Sequence, residues 1–450
     1  MVGPFYIPVC HYHAQWHQVL FTAVPEPSDE TSQPTLNTYG EPPVVDATQK
    51  SATPFSIRSI IWTVYVPTLL LSLGEGLVLA QVPLFAKSMG AGLGLIGIAV
   101  AAREVGTMLF DVPSGAFVSR FGSKKTMVFG TAAIGVTALG AGLAATIWVY
   151  IALRFCQGMA RAIWSISRQA YIAQVIPNQN RGRALALFGG VNRMALFVGP
   201  LMAAFIATEF GLQSTFFAQA GIGIVTAALM LILLQDTGSA GLHAEGESIV
   251  SRLSEVITEN KRIFATAGVA AVCLQLIRNG RTILIPLWGD SIGINVRDIN
   301  LIMSASSLVD SFFFYPVGIV MDRYGRKWVF VPSLIVLGSS LVLIPLAGSF
   351  GTLMAIGLWA GVGNGISSGI VFTMGVDFSP PNRTGEFIGV WRLIGDIGGS
   401  TGPFIVGFVA QAATLGVAAV VTGGFGFLGA AIAFFFVQET LKKNPKSRKK

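Results

Sequence analysis

Thirteen charged side chains lie inside long apolar stretches of this chain. They are Arg103, Arg154, Arg161, Arg168, Arg193, Arg278, Arg281 and Arg392, with Glu75, Glu104, Asp111, Asp310 and Asp396. Arginine keeps its proton, so it can hold an anion or pair with an acid; only the carboxylates can load and release a proton. Spacing groups them. Arg154, Arg161 and Arg168 recur every seven residues and share one helical face, as do Glu104 and Asp111, while Arg392 and Asp396 are four apart and can pair within a helix. Nothing resembles a nucleophile–base pair or a metal-ligand set. Cys10, Cys156 and Cys273 are far apart, and His11, His13 and His17 sit in a polar tail that makes a poor metal site. Enzymatic chemistry is the weakest reading, and no cofactor is called for.

The elements that position these charges are set by composition. Hydrophobic residues make up 52% of the 450-residue chain and charged residues 12%, about half the share usual in soluble domains. Apolar runs of bilayer length recur twelve times: 60–86, 93–118, 126–145, 148–173, 184–208 and 212–234, then 263–288, 297–320, 328–347, 351–375, 385–410 and 413–437. The chain thus reads as an all-α polytopic membrane protein. A polar tail, 1–55, reads as disordered. Two six-helix bundles, 56–234 and 263–440, flank a polar linker, 235–262, in which Glu247 to Lys261 can form an amphipathic surface helix, and 441–450 is a basic tail. An ionised side chain at mid-membrane costs at least ~2.5 kcal/mol on insertion scales, so the thirteen charges must face a cavity, the interior or each other.

Twenty lysines and arginines fall on the side of the N-terminus and only Lys87 and Arg297 on the other. The positive-inside rule makes the first side, with both termini, cytoplasmic. It also makes the net charge of +8 topological, leaving nucleic acid no role and the basic tail at most a contact with anionic lipid. A plasma or cell inner membrane is the expected location, and a monomer the expected state.

The two halves repeat. Gly318-Ile-Val-Met-Asp322-Arg323-Tyr-Gly325-Arg326-Lys327 has a near-copy 203 positions earlier, Gly115-Ala-Phe-Val-Ser-Arg120-Phe-Gly122-Ser-Lys124. The same offset joins Pro83 to Pro286, Pro113 to Pro316, and Gly199-Pro200 to Gly402-Pro403. Glu75 matches Arg278, and Arg193 matches Asp396, so each half carries the opposite charge at the matched site.

Two six-span halves with this charged turn after the second and eighth spans resemble the major facilitator superfamily, over about residues 58–440. Further motifs are similar: Arg154-Phe-Cys-Gln157-Gly158 in the fourth span, Ala195-Leu-Phe-Val-Gly199-Pro200 in the fifth, like that of the antiporter branch, and Gly398-Gly-Ser-Thr-Gly402-Pro403 in the eleventh. One departure is Ser119 where the second turn has Asp322, which leaves the first turn without its acid or hands the role to Asp111.

The resemblance implies alternating access by rocking of the two halves around a midplane site. It implies that spans 1, 4, 7 and 10 line the cavity. Glu75, Arg154 and Arg278 are then the expected proton-coupling residues, with Glu75 ionised while an arginine is near and protonated when it withdraws. Arg161, Arg281, Asn279, Gln157, Asn364 and Trp359 are the expected cavity residues, with Trp164, Phe312, Phe313, Phe314 and Trp391 as further aromatic candidates. It also implies that the fifth span packs on the eighth and the second on the eleventh, so Arg193 should meet Asp310 and Arg103 should meet Asp396.

The expected function is a proton-coupled exporter of a small organic molecule. An organic-anion transporter is the alternative, suggested by eight arginines against five acids. A non-transporting receptor or scaffold is a poorer fit, since neither tail reads as folded.

Overall fold

The structure is a computed structural model that describes residues 61–176, 178–234 and 249–441, with side chains from 61–176, 187–234 and 253–441. The tail with its three histidines, most of the linker and the basic tail lie outside the described residues.

Twelve long helices carry the chain through the bilayer. We label them α1 (Ile61–Val78, continued by Gln81–Ser88), α2 (Leu93–Phe121), α3 (Ser123–Leu143), α4 (Ile147–Val175), α5 (Asn178–Phe210), α6 (Leu212–Leu233), α7 (Lys261–Ser291), α8 (Val296–Tyr324), α9 (Lys327–Leu346), α10 (Phe350–Phe378), α11 (Thr384–Ala412) and α12 (Leu415–Phe436). Eleven are apolar enough to be recognised as spans by hydropathy. The exception is α4, whose three arginines and Gln157 lower its hydropathy although its length, 29 residues, is ample. Helix is the only way for an isolated span to satisfy its backbone in lipid. The ends are fixed by hydroxyl and amide caps: Thr146, Asn295, Ser349 and Thr414 accept the backbone N–H three residues on.

Packing follows the repeat. In the first half α1 packs on α5 and α6, α2 on α4, and α3 on α4 and α6; in the second α7 packs on α11 and α12, α8 on α10, and α9 on α10 and α12. Even a local irregularity repeats: α1 and α7 each carry a π-helical turn near the start, Ile61–Tyr65 and Phe264–Gly268, at the 203-residue offset. The Gly-Pro motifs serve this packing. A Cβ on Gly199 would lie 2.6 Å from the Gly76 Cα on α1, and one on Gly402 would lie 2.3 Å from the Leu276 carbonyl oxygen on α7, so each motif lets a helix pair close to backbone contact.

The bundles meet along α2–α11 and α5–α8. Two faces can be named from the connections: a turn face, bearing the α2–α3 and α8–α9 turns, and an opposite face, bearing the α1–α2 and α7–α8 connections. On the opposite face Lys87 pairs with Asp290. Those two residues are 203 apart, so they are repeat mates, and mates can touch only close to the pseudo-twofold axis. The linker helix, Ile249–Glu259, buries Val256 and places Glu255 and Glu259 2.9 and 3.7 Å from Arg383 before α11.

Two spans read as continuous in the sequence are broken. The first is interrupted between Val78 and Gln81. The tenth breaks at Ser367–Gly369, where Gly369 takes a left-handed φ of +74° and starts the half-helix Ile370–Phe378.

Candidate functional site

Glu75, on α1, forms an ion pair with Arg161 on α4. Arg154, the arginine of the fourth-span motif, does not reach it. Two turns of helix, about 10 Å, separate the arginines, and Arg154 turns into the bundle, where it donates to Gln157 Oε1 (2.5 Å); Gln157 Nε2 donates on to Gln219 Oε1 of α6 (3.2 Å). Arg154 and Gln157 are buried, and Gly158, the last motif residue, allows α2 to approach. This motif is therefore an internal polar link of the first bundle. Arg168 completes the α4 row between two aromatic faces, its guanidinium carbon 4.2 Å from the Trp164 ring and 4.1 Å from that of Phe188.

In the second bundle Arg278 does not reach Glu75 either. It staples the break in α10, donating from Nη2 to the Ser367 carbonyl (2.7 Å) and from Nε to Ser367 Oγ (3.1 Å), and from Nη1 to Gln275 Oε1 (2.9 Å). Arg281 is buried and donates to Ser306 Oγ on α8 (3.0 Å). Asn279 bonds its own helix at the Gln275 carbonyl (3.2 Å), while Asn364 reaches Asp310 Oδ2 (2.8 Å). Trp359 stands apart: it is 42% exposed, and its indole N–H donates to Ser339 on α9, on the outer side of the bundle. Trp391 is also withdrawn, buried beside Phe264 and Phe387.

Between the bundles, Arg193 on α5 lies 2.5 Å from Asp310 Oδ1 on α8 and donates to Ser368 Oγ at the α10 break (2.6 Å). Along the other seam the expected Arg103–Asp396 pair does not form. Arg103 pairs with its neighbour Glu104 at 2.6 Å; Asp396 lies 4.0 Å from Arg392, and Arg392 crosses to Asp111 at 3.0 Å. The reason is register. α2 and α11 run antiparallel with Gly97 against Gly407 and Asp111 against Arg392. Four residues beyond Arg392 is Asp396, and four before Asp111 is Thr107, so Asp396 stands level with Thr107, one turn from Arg103. Towards the opposite face, Gln81 Nε2 donates to Asn300 Oδ1 (3.0 Å) and the Gly94 N–H to Gln411 Oε1 (3.3 Å).

The two turns differ in chemistry more than one substitution suggested. In the second, Arg326 lies 2.7 Å from Asp377 and 3.6 Å from Asp322, and Glu439, just past α12, accepts the backbone N–H groups of Arg326 (2.8 Å) and Lys327 (3.0 Å). Lys327 donates to the Phe434 carbonyl, and Arg323 lies over Tyr324. At the offset of 203, Asp322, Arg326 and Asp377 become Ser119, Ser123 and Gln174, and Ser123 donates to Gln174 Oε1 (2.8 Å). The first turn keeps the clasp in uncharged form. Gly115 and Gly318 have open space where a Cβ would stand, while Gly122 and Gly325 turn the chain with φ of +82° and +116°.

Sequence reasoning missed Asp377, Glu439, Ser367 and Ser368. Glu439 carried a signal: Gln438-Glu439-Thr440 repeats Gln235-Asp236-Thr237 at the same offset, although Asp236 lies outside the described residues. The serines carried none, since their role depends on a break in a helix that reads as continuous.

Every carboxylate of the interior thus contacts an arginine. Among the described residues, Arg154, Arg168, Arg278 and Arg281 have no carboxylate partner, only neutral or aromatic ones. An arrangement with a salt-bridged acid at mid-span, carboxylate-free arginines on both bundles and two seams between them suits a rocking transporter.

The Major Facilitator Superfamily model matches residues 64–278 and again 267–450. The chain belongs to the Major Facilitator Superfamily. Among superfamily relatives, an uncharacterised transporter of Methanocaldococcus jannaschii is 21% identical over 355 residues, covering 78% of this chain and 91% of the relative. A multidrug resistance protein of Klebsiella pneumoniae is 24% identical over 298 residues (65% and 71%), and a hexuronate transporter of Bacillus subtilis 29% over 181 residues (39% and 43%). The crystal structure of a nucleoside transporter superposes with a TM-score of 0.69 at 13% identity, covering 83% of this chain and all of that one, which shows the shared fold. This superfamily member is an integral, multi-pass membrane transporter and not an enzyme.

Proposed function

We propose that this protein is a proton-coupled secondary transporter that exports a small organic molecule, with its turn face in the cytoplasm. The observation that carries the coupling is the Glu75–Arg161 pair, a titratable group at mid-span whose counter-ion sits on another helix. With Arg161 close, Glu75 is ionised. Both residues belong to the first bundle, so rocking of the bundles does not by itself part them; proton uptake requires α4 to shift against α1 within that bundle, where desolvation favours the protonated acid. Arg161 is the partner of Glu75, while Arg154 is tied inside the first bundle and Arg278 to the α10 break. Asn279 and Asn364 stand at the proposed cavity wall, whereas Trp359 faces α9 and takes no part in it. Export is supported by the likeness to a multidrug resistance protein, and the cytoplasmic turn face by the charge asymmetry of the loops.

The test is Glu75→Gln, which keeps shape and hydrogen bonding but cannot titrate. In vesicles with an imposed pH gradient, using ethidium and glucuronate as probe cargoes, the variant should lose uphill transport and its accompanying proton flux. Exchange at equal pH should continue. Unchanged proton-driven transport would eliminate Glu75 as the carrier.

A second reading concerns the cargo. Four arginines without a carboxylate leave the interior positive, which favours an organic anion, and one relative is a hexuronate transporter. Transport of glucuronate but not ethidium, reduced by Arg278→Gln, supports it; the reverse preference excludes it.

A further inference from the structure

The first turn has Ser119 and Gln174 where the second has Asp322 and Asp377, which leaves it two acids poorer; the mate of Glu439, Asp236, lies outside the described residues. Arg120, Lys124 and Lys125 cluster there, and among the described residues none of them makes an ion pair. Lys124 and Lys125 stand in the first turn of α3, at the positive end of its dipole, where a cation is disfavoured. The second turn meets the same situation with its own acids: Glu439 caps α9 beside Lys327, and Asp322 and Asp377 flank Arg326. Beside the first turn lies a groove of about 310 Å³ lined by Phe117, Phe121, Phe129, Thr126 and Lys125. Its floor is fixed, because Thr126 Oγ1 donates to the Phe117 carbonyl (3.2 Å), tying the start of α3 to the end of α2. Phe121 and Phe129 are 48% and 57% exposed, so the groove opens towards the surroundings of the bundle and not into the core. Arg120 lies over the Phe121 ring, 5.4 Å from its centre, which places a cation at the mouth.

We propose that an anionic phospholipid of the leaflet on the turn face docks in this groove. Its phosphate sits among Lys125, Lys124 and Arg120, and an acyl chain lies against Phe117, Phe121 and Phe129. The lipid supplies the negative charge that Ser119 does not. Basic side chains just outside the hydrocarbon attract anionic headgroups, and the phenylalanine walls select a lipid over a free phosphate. The second turn, balanced by its own carboxylates, takes no such lipid.

The test is native mass spectrometry of the full-length protein taken from bilayers of phosphatidylglycerol mixed with phosphatidylcholine, with thermal unfolding as a second readout. The wild type should retain phosphatidylglycerol selectively and be stabilised by it. Lys124→Gln with Lys125→Gln should weaken retention by ~25-fold, or ~5-fold for each charge at about 1 kcal/mol apiece. Ser119→Asp, which restores an internal acid, should weaken it by several-fold and make stability less dependent on the anionic lipid. Should Ser119→Asp not fold, the lysine pair and Phe129→Ala, which should lower retention of lipid while leaving the charge in place, carry the test. Equal retention of both lipids, or retention unaltered by the lysine variants, overturns the proposal. So does stabilisation by soluble glycerol phosphate equal to that by the lipid, since it would assign the site to a free phosphate.

Discussion

The Arg193–Asp310 clasp should hold α5 and α8 together, and its removal should shift the balance between transport states. Asp310 accepts from Arg193, Asn364 and Ser368 at once, and the paired side chains are only 18% and 13% exposed. Removing one partner of a pair this buried leaves an uncompensated charge, at a cost of ~3–5 kcal/mol. Asp310→Asn or Arg193→Gln alone should therefore destabilise the clasped state strongly, and the double variant should recover part of the loss. We expect a coupling of about 2 kcal/mol, in the lower part of the range for close charge pairs between protein surfaces, or ~30-fold in the equilibrium. The assay is a double-mutant cycle read by distances between spin labels at Leu187 on α5 and Tyr324 on α8, in a background without Cys10, Cys156 and Cys273. The labels should move apart in each single variant and partly return in the double. Additive effects within about 0.5 kcal/mol would show that the two residues do not act as a pair.

Gly97→Ala should disfavour this packing of α2 on α11, because the added Cβ would lie 2.6 Å from the Pro403 carbonyl oxygen and 2.8 Å from the Gly407 Cα. Thiol labelling of Ser400→Cys, a buried position on the same face of α11 as Gly407, should then rise several-fold in a background without the native cysteines, and an unchanged rate contradicts the close contact. Burial alone would raise the Glu439 pKa, but the backbone N–H groups of Leu441, Arg326, Lys327 and Thr440 outweigh it and hold the carboxyl below the usual glutamate range. A depressed folded pKa means that the cap stabilises above the unfolded value and is lost as pH falls through the folded one. Amide exchange at Arg326 and Lys327 should accelerate beyond its intrinsic pH dependence in that acid window. Glu439→Gln should remove the extra acceleration, and an identical profile in the variant refutes the cap.

What the sequence could reveal depended on whether a feature was local, repeated or relational. The twelve spans were legible because bilayer thickness imposes a length on each, and the two-bundle architecture because the offset of 203 recurs at separated anchors. The breaks at Val78–Gln81 and Ser367–Gly369 were not, since Gly and Pro are common inside spans and mark no break by themselves. Which helix-4 arginine meets Glu75 was equally hidden. Arg154 and Arg161 share a face, and only the depth of α1 against α4 chooses between them. The α2–α11 seam differs, because the information was present in the repeat. The α5–α8 clasp joins Arg193 to Asp310, whose mates are Asp396 and Thr107. Carrying that pair across the pseudo-twofold axis puts Asp396 beside Thr107, the register found. Charge complementarity favoured Arg103, one turn away, but a repeat conserves the geometry of a contact more strictly than its chemistry. Asp396 therefore kept its position and lost its symmetry partner, and the crossing charge moved to Asp111 and Arg392, whose mates are Phe314 and Gly189. The seams are alike in backbone and unlike in charge: one holds an ion pair shared with the α10 break, the other an ion pair that is not, and the proposed rocking would have to break both.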